Sequence, residues 1–81
     1  MAQVTLLRRN DCGLCEDAAH ALRHLRIDFA TLDIDDYPDL QLRYNEAVPV
    51  LLLDNVEIAR APLGDMKLRI ALARAGIAPR P

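Results

Sequence analysis

The chain has 81 residues, 52% of them apolar and 27% charged, with a formal net charge of -2. That length supports one domain, residues 1–81, because two would each be too small to bury a core, and the composition is that of a globular chain rather than a disordered one. Ten basic residues against twelve acidic ones exclude a pervasive basic field for nucleic acid or an anionic membrane. The longest apolar run, Ala47 to Leu53, is far too short to span a bilayer. Arg8 and Arg9 follow the apolar stretch of Met1 to Arg9 instead of preceding it. That is not the order of a signal peptide, so a soluble cytoplasmic domain is expected.

Gln3 to Arg8 holds the apolar run Val4-Thr5-Leu6-Leu7, the pattern of a strand buried on both faces. Asn10-Asp11 breaks it. Leu14, Ala18, Leu22 and Leu25 then recur at helical spacing and predict an apolar stripe on a first helix. Ile27 to Ile34 predicts a second strand, with Ala30, Leu32 and Ile34 alternating against Thr31 and Asp33. Strand, helix and strand in so short a stretch form a βαβ unit, so the two strands should be parallel with a right-handed crossover. Asp35-Asp36-Tyr37-Pro38-Asp39 suits the start of a second helix ending near Asn45, since acidic residues complement the dipole and Pro loses nothing at the first position. Val48 to Leu53 and Val56 to Arg60 predict two further strands joined by Asp54-Asn55, a two-residue turn that tolerates positive φ. A last helix begins near Gly64-Asp65, places Met66, Ile70 and Ala73 on one face, and stops at Gly76 and Pro79. The expected fold is α/β, in the order β-α-β-α-β-β-α, with a four-stranded mixed sheet flanked by helices.

The two cysteines, Cys12 and Cys15, are separated only by Gly13-Leu14. A disulfide closing so small a loop stabilises a fold by about 2 kcal/mol in the chain-entropy view, which makes it a poor staple. A structural zinc site wants four ligands, and no second cysteine pair is present. Redox use is the reading that spacing and context favour. Cys12 falls where a strand ends and a helix begins, so first-turn N–H groups face its sulfur and favour the thiolate. Cys15 falls one turn further in, nearer the apolar stripe. That suits an exposed attacking thiol with a buried resolving partner. Gly13 would allow another backbone to approach. Arg8 and Arg9 either add positive potential there or form a solvated strand end, and Asp11 opposes them.

The order of elements, Cys12-Gly13-Leu14-Cys15 opening the first helix, and Val48-Pro49 together resemble the thioredoxin superfamily, specifically its compact glutaredoxin-like members, over nearly the whole chain. The resemblance implies that Cys12 is the nucleophile and Cys15 resolves its mixed disulfide. It implies a cis peptide at Val48-Pro49 facing the pair, with the Val48 backbone free to hold an extended substrate segment. Arg9 matches a basic residue found three places before the first cysteine, and Leu14 replaces a tyrosine that shapes the glutathione groove; both are candidate substrate contacts. The family's Gly-Gly pair and following Asp are replaced by Ala59-Arg60-Ala61-Pro62, with Asp65 arriving late. The implied activity is that of a small thiol–disulfide oxidoreductase acting as a monomer on a disulfide-containing protein or a low-molecular-weight thiol substrate. No cofactor is expected to be tightly bound, and glutathione is the candidate reductant. A non-catalytic binding module and an iron–sulfur cluster carrier are the alternatives.

Other signals are weaker. Glu16, His20 and His24 form a column opposite the apolar stripe, which reads as a solvated face rather than a metal site. Asp33, Asp35, Asp36 and Asp39 fail the calcium-loop pattern, with Pro38 at the glycine position and Tyr44 at the final glutamate position. Phe29, Tyr37 and Tyr44 are too dispersed to stack bases. No metal, nucleic-acid or membrane partner is expected.

Overall fold

A computed structural model describes residues 2–80. The apolar run near the N-terminus becomes β1 (Val4–Arg8), whose first four residues are all buried. It is buried because it lies inside the sheet, between a parallel β2 (Ala30–Asp33) and an antiparallel β3 (Val50–Leu53). β4 (Val56–Arg60) pairs antiparallel with β3 and completes the order β2-β1-β3-β4. Three helices connect and flank the strands: α1 (Gly13–His24), α2 (Pro38–Tyr44) and α3 (Asp65–Arg74). The β-α-β-α-β-β-α order and the mixed sheet are those expected.

Alternation along the strands divides the core in two. Val4, Leu6, Leu51 and Ala59 face Ala18, Ala19 and Leu22 of α1 and Leu68 and Leu72 of α3, with Ile27 and Leu63 closing the layer. Leu7, Val50 and Leu52 face the other way, against Ile34, Tyr44 and Val48, and Cys15 joins them. Each fully buried leucine contributes roughly 1.5–3 kcal/mol of transfer free energy. The hairpin turn adopts φ 49° at Asp54 and 68° at Asn55, the left-handed pair that matches strand twist. Gly76, at φ 76°, takes the left-handed position just past α3.

Three expectations need correction. Leu14 does not head the buried stripe of α1: it is 56% exposed, and the stripe runs through Cys15, Ala18, Ala19 and Leu22. Two strands are shorter than expected: β2 starts at Ala30 and not Ile27 and ends at Asp33, where the Asp33 carboxylate accepts the Asp35 N–H at 2.9 Å and caps a 3-10 turn over Ile34–Asp36, and β3 starts at Val50 and not Val48. α3 buries Leu68 and Leu72, while Met66 and Ile70 are 70% and 46% exposed. Apolar residues lie around most of that helix, so periodicity does not choose a face; contact with Leu63, Ala59 and α1 does. Among the described residues, no helix is long and apolar enough to cross a membrane.

Candidate redox site

The site is built where β1 hands over to α1. Asp11, at φ 56°, turns the chain, and Cys12 takes an extended conformation as the N-cap of α1. Its sulfur accepts the Cys15 N–H at 3.1 Å, and its carbonyl accepts the Glu16 N–H at 3.1 Å. An otherwise unpaired first-turn donor is thus aimed at Sγ, as the sequence position requires. Cys12 and Cys15 are joined as a disulfide, with Cα atoms 5.2 Å apart. Their surroundings differ. Cys15 is fully buried in the α2-side core, whereas Cys12 is part-exposed and packs on the edge of that core. Gly13 faces open space: among the described residues, no heavy atom lies within 4 Å of where its Cβ would stand.

Val48 belongs to the same buried cluster as Cys15, and Cys12 packs against that cluster. The Val48–Pro49 peptide is cis, as expected, and Pro49 is fully buried. Among the described residues, the backbone N–H and C=O of Val48 take part in no hydrogen bond. Ala61–Pro62 is also cis, which the sequence reading did not anticipate.

Both arginines at the end of β1 are engaged. Arg8 pairs with Glu16, and that hydrogen bond holds the Glu16 carboxyl below the usual carboxylate range. Arg9 Nε donates to both Asp35 carboxylate oxygens, at 3.1 and 3.2 Å. Its Nη1 donates to the Asn45 carbonyl at 3.0 Å and its Nη2 to Asn45 Oδ1 at 2.7 Å. Leu14, one residue before Cys15, projects into solvent. Sequence reasoning missed Asn45 and Asp35 as partners of this region. The only signal was their polarity, and they lie 36 and 26 residues from Arg9.

Glu16, His20 and His24 lie on the exposed face of α1. The two histidines share a surface hollow with Asp17 and with Asp65 of α3. Among the described residues, no group of three or more His, Cys, Asp or Glu is arranged to hold a metal ion.

Comparison with known proteins agrees with this geometry. A protein-family model for the glutaredoxin-like domain (DUF836) matches residues 3–73. An uncharacterised protein of Mycobacterium tuberculosis is 32% identical over 81 residues, covering 89% of this chain and 84% of that protein; its counterpart in Mycobacterium bovis matches to the same extent. A structural-genomics target protein from X. campestris superposes with a TM-score of 0.74 at 32% identity, covering 88% of this chain and 96% of that one. Thioredoxin from Fasciola hepatica (TM-score 0.66, 24% identity, 90% of this chain and 79% of that one) shares the fold. So does glutaredoxin 1 from Francisella tularensis (TM-score 0.63, 22% identity, 93% and 96%). With the thioredoxin fold, a disulfide-bonded Cys12–Cys15 pair at the head of α1, and a family match over most of its length, the chain belongs to the glutaredoxin-like domain family.

Proposed function

We propose that this protein is a small thiol–disulfide oxidoreductase in which Cys12 attacks and Cys15 resolves. The asymmetry of the pair carries the reading: Cys12 is part-exposed and its Sγ accepts a helix-terminal N–H, whereas Cys15 is fully buried. Attack requires a thiolate with access to the substrate, and the hydrogen bond favours that form.

In the reduced protein, the Cys12 thiolate attacks one sulfur of a substrate disulfide. The substrate S–S bond breaks, one substrate sulfur leaves as a thiolate and takes a proton from water, and the other stays bonded to Cys12. Cys15, having given up its proton, then attacks Cys12 Sγ and displaces the second substrate sulfur. Two electrons pass to the substrate, and the Cys12–Cys15 disulfide is the oxidised product. A thiol reductant, with glutathione the candidate, restores the dithiol by the reverse exchange.

The Val48 backbone, backed by the buried Pro49, and the exposed Leu14 provide the docking surface, with Arg9 in the turn before Cys12. The unpaired Val48 N–H and C=O support capture of an extended segment by strand addition. Monomeric action in the cytoplasm, on a disulfide-containing protein or a low-molecular-weight thiol substrate, completes the proposal.

Turnover of a model disulfide by the reduced protein tests it. Wild type should reduce the substrate, Cys12→Ser should fall to background, and Cys15→Ser should accumulate a covalent mixed disulfide through Cys12. Wild-type activity at background, or unchanged turnover in Cys12→Ser, overturns the reading.

A further inference from the structure

Arg9 is the one candidate substrate contact whose charged atoms are already occupied. Its guanidinium meets both oxygens of Asp35 and both the carbonyl and side-chain oxygens of Asn45. Asp35 is held in turn: Gln41 Nε2 donates to its Oδ1 at 3.0 Å. These partners mark three separate segments. Arg9 lies in the turn that leads to Cys12; Asp35 lies in the 3-10 turn after β2; Asn45 caps α2 three residues before Val48. β1 and β2 are parallel, with Arg8 opposite Asp33, and β3 starts beside Leu7. All three segments therefore emerge at the same end of the sheet, where the cysteine pair lies.

We infer that Arg9 is a positioning residue that clamps the Cys12 turn to the segment carrying Val48, and not a receptor for an anionic substrate. This inference rests on the oxidoreductase reading above. A planar guanidinium can satisfy a carboxylate and two amide oxygens at once, which an ammonium group cannot do. Nε, Nη1 and Nη2 each already have an oxygen partner in this chain, so the carboxylate of a small anionic disulfide would have to compete with Asp35 and Asn45 for Arg9. The contacts also fix two things the exchange needs in register: the turn that aims the Cys15 N–H at Cys12 Sγ, and the backbone at Val48 that receives the substrate. Arg8, the neighbouring cation, is likewise held by Glu16. A solvent-exposed ion pair alone contributes little to stability, so the role shows in reactivity more than in melting temperature.

The experiment compares Arg9→Ala, Arg9→Lys and Asp35→Asn with wild type on two small substrates, neutral hydroxyethyl disulfide and anionic glutathione disulfide. A parallel arm measures the rate at which iodoacetamide alkylates Cys12 in each reduced protein at pH 7. A clamp predicts that all three variants lose a similar several-fold in kcat/KM on both substrates, that Arg9→Lys fails to rescue, and that Cys12 alkylation slows in step. An anion receptor predicts instead that Arg9→Ala loses activity on glutathione disulfide alone, that Arg9→Lys restores it, and that Asp35→Asn, by freeing Arg9, improves it; any of these overturns the inference. Lower melting temperatures with turnover and alkylation unchanged at 25 °C overturn it too. If wild type reduces neither substrate, the oxidoreductase reading fails, while the alkylation arm still decides whether the clamp controls Cys12.

Discussion

On one face of the sheet, α1 and α3 close over Val4, Leu6, Leu51 and Ala59, and every side chain in the layer is apolar. On the other face, a smaller cluster around Leu7, Val50 and Leu52 takes in Cys15, Tyr44 and Val48 and touches Cys12. The difference teaches where this chain keeps its larger apolar layer and where it keeps its cysteine pair. α1 serves both: Ala18, Ala19 and Leu22 bury into the first layer, while Cys15, one turn earlier, buries into the second. The helix that anchors the fold thereby also fixes the buried Cys15 sulfur beside Cys12.

Substitutions should separate the two faces. The largest effect on activity is expected from Cys12→Ser, which should abolish disulfide turnover while leaving the circular dichroism spectrum native. Residual turnover at the wild-type rate would show that the second cluster carries no chemistry. The largest effect on stability is expected in the first layer. Leu72→Ala, at 3% exposure, should cost about 2–5 kcal/mol in chemical unfolding. In a domain of this size, that lowers the melting temperature by at least roughly 8 °C. Turnover per folded molecule at 20 °C should stay near wild type. A selective loss of turnover would mean that the two faces are coupled more tightly than their packing shows.

A smaller effect concerns acid stability. The Glu16 carboxyl is held down by the hydrogen bond from Arg8, and the Glu57 carboxyl by the hydrogen bond from Arg60. Both lie below 4.5 in the folded chain. Their contribution is therefore fully present above about pH 4.5 and is lost as pH falls through the folded values. Melting temperature should decline below that point, and Glu16→Gln with Glu57→Gln should flatten part of the decline. Both pairs are solvent-exposed, so the change should be modest and should shrink further in high salt. An unchanged acid limb in the double variant would remove these pairs from the account.

Much of this division was legible in the sequence, because local signals specified it. The near-continuous apolar run at Val4 to Leu7 marked the central strand, Asp54-Asn55 marked the hairpin, and Cys12-Gly13-Leu14-Cys15 marked the site and its place at a helix start. The cis Val48–Pro49 peptide followed from the resemblance and not from composition. What escaped was decided by tertiary contact. α3 offers Met66 and Ile70 or Leu68 and Leu72 as equally spaced pairs, and only the neighbouring layer selects the second. Leu14 fits the stripe by period yet is 56% exposed at the start of α1, and the buried stripe begins one residue later at Cys15. The Arg9 clamp joins residues remote in sequence, through polar side chains that a linear reading assigns to solvent.

The central claim is the inequality of the two thiols, and its most direct measurement is differential alkylation of the reduced protein. Limiting iodoacetamide at mildly acidic pH, followed by peptide mass spectrometry, should label Cys12 well before Cys15, because Cys12 is part-exposed while Cys15 is buried, and a Cys12 thiolate is favoured by the Cys15 N–H. Equal labelling of the two, or labelling of Cys12 only as pH approaches the ordinary thiol value of ~8.5, would contradict the account.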